Sequence, residues 1–207
     1  MNANMILTKI LMLPGIIIGL SFHEFAHAWV SDRLGDPTPR RDGRVTINPL
    51  AHIDWLGFAA LLLVGFGWGK PVMIDPRYYK NRRRDEFLVA IAGVTMNLII
   101  AVVLSIPVRM MMKHYGAGVP SDLMYNIFQI LYYAVFINVV LMIFNLLPVP
   151  PLDGWNIFTQ LFKLDQYDWW YKVYRYGTYI LLALIIFNVT DLVLTPLVNA
   201  VMKLLIR

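Results

Sequence analysis

Residues 5–30 read MILTKILMLPGIIIGLSFHEFAHAWV, and the reading of this stretch decides the fold class. A helix needs about 20 apolar residues to cross the hydrocarbon of a bilayer, and this run is long enough to do so. No A-x-A-like cleavage site follows it, and it holds the most chemically loaded residues of the chain. It is therefore read as a membrane helix that stays, rather than a removable signal peptide.

Composition points the same way. Of the 207 residues, 58% are hydrophobic and 15% charged, against about 45–50% and about 25% in soluble domains. Apolar runs at 87–112, 123–147 and 174–189 are bounded by charged or turn residues. A last run, 192–206, is interrupted by Pro196, which leaves a tilted span and an interfacial helix both open. The sequence predicts an all-α polytopic membrane protein of about four to six transmembrane helices, forming a single integral-membrane domain over residues 1–207. The net charge of +5 does not imply nucleic acid, because the basic residues form short clusters between apolar runs, where they meet the headgroups of the lipid bilayer. With no cysteine in the chain, disulfides, thiolate metal sites and cysteine nucleophiles are excluded.

Between the first two long runs the character changes. Gly43 to Pro49 reads as a short extended segment, and Ile53 to Trp68 as an apolar, glycine-rich piece too short to cross. A short β or re-entrant element lying against protein is expected there, since irregular backbone at membrane depth must be covered or line a wet cavity. Lys and Arg gather at 33–44 and 70–84, which places both loops on the cytoplasmic side and the N-terminus outside. The loop from Lys113 to Asp122, with His114, is then external, and Pro148 to Gly154 returns to the cytoplasmic face.

His23-Glu24-Phe25-Ala26-His27 is an H-E-x-x-H pattern within the first helix. Four residues on a helix bring two imidazoles onto one face about 6 Å apart along the axis, close enough to share one metal ion, with Glu24 beside them to act as general base. The bland alternative is a chance spacing or interhelical hydrogen bonding. It does not explain why a membrane helix tolerates a carboxylate that costs about 3 kcal/mol on insertion scales. A catalytic zinc wants a third protein ligand. Asp153, in Pro150-Pro151-Leu152-Asp153-Gly154 where the prolines stop the preceding helix, is the best candidate. For that pentapeptide taken alone, a turn or helix cap is the default.

Together with Asn145-Leu146-Leu147-Pro148 leading to Asp153-Gly154, and with Ala92-Gly93-Val94-Thr95-Met96-Asn97, these motifs resemble the site-2 proteases, the polytopic zinc proteases of peptidase family M50. Val94 departs from the proline common in the family's A-G-P-x-x-N stretch. No segment is long enough for a PDZ or cystathionine-beta-synthase domain, so the resemblance is to compact members. It implies an intramembrane zinc metalloendopeptidase with one Zn2+ per chain held by His23, His27 and Asp153. Glu24 would serve as base and Asn145 as a polar group near the reacting carbonyl. It further implies a transmembrane protein substrate, a prokaryotic cell membrane and an active site towards the cytoplasm. Asn97 is read as an oxyanion donor or as structural glue, and His52 as a donor to the intermediate or, preferred, an imidazole bonded to local backbone. The β-branched Val45, Thr46 and Ile47 are expected to pair with an unwound substrate strand. A metal transporter or channel, and a catalytically silent membrane adaptor, are the competing functions. Gly15 and Gly19 form a G-x-x-x-G suited to packing within the chain, and Tyr167, Trp169, Trp170 and Tyr171 read as an interfacial aromatic belt.

Overall fold

Asn81 and Ser121 start the two helices that stand behind the site. Asn81 Oδ1 accepts the Arg84 N–H at 3.2 Å while the Asp85 carboxylate takes the Asn81 N–H at 3.0 Å, and Ser121 Oγ accepts the Met124 N–H at 3.3 Å. Such caps satisfy amides that a helix start leaves without partners. The computed structural model describes residues 3–64, 67–116, 118 and 121–207. Its helices are α1 (Ala3–Arg33), α2 (Thr38–Arg41), α3 (Trp55–Val64), α4 (Arg82–Tyr115), α5 (Asp122–Asn145), α6 (Asp153–Phe162), α7 (Asp168–Ile186) and α8 (Val189–Ile206).

Four of these are long and apolar enough to cross a membrane: residues 6–33 of α1, then α4, α5 and α8. Their outward side chains include Ile99, Val103, Ile106, Leu123 and Leu204, all exposed in the isolated chain. An apolar surface of this extent suits lipid and not water, and the chain is an integral membrane protein. The helix read from residue 174 begins at Asp168, and Asp168, Lys172 and Arg175 with several tyrosines keep it out of the spanning set. Conversely, Pro196 sits inside α8 without ending it, as prolines do in membrane helices whose neighbours re-satisfy the freed carbonyl. α4 runs on to Tyr115, so Lys113 and His114 lie in its last turn and not in a loop.

Helices α1, α4 and α5 pack on one another, and α8 closes against α4 and α5. Ala90, Val94, Ala101, Val135 and Val139 are among the residues filling the shared core. A Cβ on Gly15 would lie 2.6 Å from Ala134 Cα, and one on Gly19 would lie 2.7 Å from the Leu141 side chain. The G-x-x-x-G therefore serves the α1–α5 contact inside one chain.

The chain between α1 and α4 departs from the expected β element: no strand forms among the described residues, and α3 is a ten-residue helix, about 15 Å long and too short to cross. Side chains take the place of a partner strand: the His52 imidazole donates Nε2–H to the Thr46 carbonyl at 2.7 Å, and Arg44 donates to the Ala51 carbonyl. Gly65 and Phe66, within the expected re-entrant stretch, lie outside the described residues. The aromatic group divides. Trp170 stacks on Trp155 and Tyr174 and donates to Thr159 Oγ1 at 2.8 Å, while Tyr167, Trp169 and Tyr171 stay exposed.

Candidate metal centre

The helical repeat of α1 sets His23 and His27 side by side, pointing at α4 where Gly93 leaves room for them. A Cβ at Gly93 would fall 2.5 Å from both His23 Cε1 and His27 Nε2. Each ring is then fixed by its inner nitrogen. His27 Nδ1–H donates to the Val89 carbonyl at 2.7 Å, a partner that only accepts. Asn97 Nδ2 donates to the Gly19 carbonyl at 3.1 Å and to Asn138 Oδ1 at 3.0 Å, which orients the amide so that its Oδ1 accepts His23 Nδ1–H at 2.7 Å. Asn138 in turn donates to the Ala134 carbonyl. Both protons therefore reside on Nδ1, and both Nε2 atoms carry lone pairs.

Asp153 reaches the same point from the other end of the chain. Pro148 to Pro151 end α5, and α6 starts at Asp153. Gly154 lets α6 fold back on α5, since a Cβ there would collide with the carbonyls of Leu146 and Leu147. Asp153 Oδ2 lies 3.2 Å from His23 Nε2 and 3.2 Å from His27 Nε2, and the two Nε2 atoms are 3.0 Å apart. Three lone-pair atoms in a triangle of this size repel one another unless a cation joins them. Tetrahedral zinc with bonds of about 2.0–2.1 Å spaces its ligands about 3.3 Å apart, so the triangle fits the ion. Asp153 Oδ2 is buried and has no hydrogen-bond donor among the described residues, and the three side chains form a metal-competent group.

A cavity of about 510 Å³ opens in front of the trio, within the range of small-ligand sites. Glu24, Asn145, Asn156 and Tyr174 line it, and one wall is the irregular segment Pro71-Val72-Met73-Ile74. Glu24 Oε2 accepts the Val72 N–H at 3.2 Å. Asn145, the last residue of α5, spends one amide N–H on the Leu141 carbonyl at 2.9 Å.

Residues 104–187 match the model of Peptidase family M50. The Bacillus subtilis (strain 168) protein named "Putative zinc metalloprotease YwhC" is 35% identical over 185 residues, 89% of this chain and 84% of that protein. The chain belongs to peptidase family M50. Two mycobacterial proteins carry the name "Putative zinc metalloprotease Rip2". The Mycolicibacterium smegmatis protein is 30% identical over 71% of this chain, and the Mycobacterium tuberculosis protein 28% over 70%; the chain spans 55% of each. No solved structure matches significantly.

Placed against this cavity, the residues named from sequence separate into two groups. His23, Glu24, His27, Asn145 and Asp153 all line the one cavity. Asn97 does not: it is fully buried behind His23 with both amide hydrogens engaged, leaving none for an oxyanion. His52 bonds the Thr46 carbonyl and is outside the cavity lining. Burial lowers its pKa, the Thr46 carbonyl opposes this, and the Arg44 cation lowers it further. Val45, Thr46 and Ile47 do not line the cavity either. The residues missed from sequence are Asn138 and the 71–74 wall, and Gly93 was quoted only within the Ala92–Asn97 stretch, with no role given to it. Asn138 had a signal, an amide in the middle of an apolar run; the wall had none.

Proposed function

We propose that this chain is one integral-membrane domain that cleaves transmembrane or membrane-proximal protein segments, with a single zinc held by His23, His27 and Asp153. The M50 peptidase is a zinc metallopeptidase. The observation that carries the residue assignment is the triangle of two Nε2 atoms and one carboxylate oxygen at 3.0–3.2 Å beside Glu24. Zinc, when bound, supplies a Lewis acid that polarises a carbonyl and acidifies water at neutral pH. Glu24 takes the proton of the attacking water and returns it to the leaving amine. The second amide N–H of Asn145 donates to the oxygen that gains charge as the carbonyl is attacked. The inner-nitrogen bonds of His23 and His27 keep both rings in one tautomer and orientation.

The substrate helix must unwind first, because its carbonyls are engaged along the helix. The wall at 71–74 is better situated than Val45, Thr46 and Ile47 to lie along the unwound chain, since it borders the cavity and they do not. α3 is read as the re-entrant piece. The basic clusters at 33–44 and 70–84 argue for a cytoplasmic site, an outside N-terminus and a place in the cell membrane of a prokaryote. A transporter would spread its ligands along a path; here they converge on one point. All the expected chemistry-bearing residues are present, which argues against a silent adaptor.

Glu24→Gln tests the reading. The variant keeps one zinc per chain while cleavage of a labelled transmembrane peptide falls at least about a hundredfold. His23→Ala and Asp153→Ala lose the metal. A zinc-loaded Gln variant that cuts at the wild-type rate removes Glu24 as the base, and zinc flux in proteoliposomes without cleavage would favour transport.

A further inference from the structure

The 71–74 wall has no strand beside it among the described residues, so something else must hold it at the cavity. Arg44 is buried, 3% exposed, yet forms no ion pair among the described residues. Its two terminal nitrogens instead donate to two backbone carbonyls, those of Ala51 and Lys70, while its Nε has no partner among the described residues. The Glu24 and Asp42 carboxylates act on it only through space, and a buried guanidinium with no direct ion pair is costly, which demands a reason for its retention. The planar fork supplies one: it joins two separated carbonyls in a fixed geometry that an ammonium does not reproduce. The Lys70 N–H completes the junction by donating to the His52 carbonyl at 2.8 Å.

From Lys70 the chain enters the wall directly. Pro71 follows, with no N–H to anchor it, then Val72 on Glu24 at 3.2 Å, and finally Asp75, whose N–H donates to the Asp36 carboxylate at 2.8 Å. The wall thus hangs from three points, and Arg44 makes the one at its N-terminal end.

We propose that Arg44 is a positioning residue for substrate binding: by clamping the carbonyls of Ala51 and Lys70 it fixes the wall Pro71–Ile74 at the width the substrate chain needs. The residue touches neither metal ligand nor cavity. The assignment of the wall to substrate rests on the function proposed above, and the experiment separates the two.

Hydrogen exchange and peptide cleavage are measured on the full chain in detergent for wild type, Arg44→Met and Arg44→Lys, with zinc content determined for each. In Arg44→Met the amides of Lys70 and Val72 exchange at least about tenfold faster while those of α4 and α5 keep their protection. Its KM rises about tenfold with kcat within about twofold and zinc unchanged. Arg44→Lys, able to reach one carbonyl at a time, falls between the two on both readouts. Unchanged exchange at 70 and 72 overturns the clamp. Faster exchange with an unchanged KM overturns the role in substrate binding. Loss of zinc or of α4 and α5 protection in the Lys variant makes Arg44 a fold residue and also overturns the proposal. If wild type cuts no peptide, it is the proteolytic function that fails, and the exchange comparison still decides the clamp.

Discussion

Behind the metal trio the protein is helix packed on helix, while in front of it the cavity wall is irregular chain. On the back side the inner nitrogen of each imidazole finds its partner one helix away: Val89 and Asn97 on α4 hold His27 and His23, and Asn138 on α5 holds Asn97. On the front side, Val72 and Asp75 depend on isolated side chains, Glu24 and Asp36, and Lys70 on Arg44 and the His52 carbonyl. The two faces therefore fail differently. Damage at the back moves the ligands, and with them the metal. Damage at the front changes how a substrate is seated and leaves the metal alone.

The sharpest break falls on the back at Gly93. On propensity alone Gly93→Ala favours α4, but the new methyl would stand 2.5 Å from His27 Nε2 and His23 Cε1. The expected result is loss of most bound zinc and a fall in cleavage of about a hundredfold or more, with a melting temperature close to that of zinc-free wild type. Metal analysis beside a melting curve checks it. Full zinc occupancy in this variant means that the imidazoles have room to retreat and that the back is not rigid.

Asn97→Leu removes one support without crowding the site. His23 Nδ1–H loses its acceptor, and the Gly19 carbonyl and Asn138 Oδ1 lose a donor. Outer partners of this kind are worth about 10–100-fold in metal affinity, measured by competition with a chelator. Asn138→Leu, one bond further out, should weaken zinc by less. An equal loss from both would mean the amides act through α1–α5 packing and not through the His23 ring.

What the sequence revealed of the two faces follows the same division. A period of 3.6 residues over a long apolar run determines where His23, Glu24 and His27 point, because the helix supplies the geometry by itself. The prolines before Asp153 show where α5 must stop. The front could not be read in this way. Val45 to Ile47 have the β-branched composition of a strand, but a strand requires a partner, and Thr46 gives its carbonyl to His52 instead. Met73 and Ile74 look like any apolar loop until the Asp75 amide is found on Asp36, 39 positions away in sequence. Asn97 was legible as a polar residue but not as a support for His23, because the register of α4 against α1 depends on the small residues between them. α7 and α8 show the same limit: a count of apolar residues favoured 174–189, whereas the charges of α7's first half leave α8 as the helix long and apolar enough to cross.

The smallest expected effect sharpens the front. Asp36 is fully buried and accepts hydrogen bonds from Ser31 Oγ at 2.9 Å, the Thr38 N–H at 2.9 Å and the Asp75 N–H at 2.8 Å. Burial pushes its pKa up, but these donors outweigh it and hold the carboxyl below the ordinary value. With the folded pKa depressed, the stabilisation is fully present above the unfolded value of about 3.9. It is lost as pH falls through the folded pKa, because in that window the unfolded chain binds more protons. Tyr79, hydrogen-bonded to Ser31 and pushed up to about 12 mainly by burial, stays neutral throughout. Asp75 is also held low, by the Arg77 guanidinium, and adds a trend of the same sign. The informative quantity is therefore the difference between wild type and Asp36→Asn, not the wild-type curve. At pH 7 the variant should be less stable by about 1–3 kcal/mol, with faster exchange at Asp75, zinc unchanged and cleavage still present. The difference should hold down to about pH 5 and shrink below about pH 4. A gap that persists undiminished at pH 3 would mean that shape, and not the carboxylate's charge, ties this end of the wall to α1.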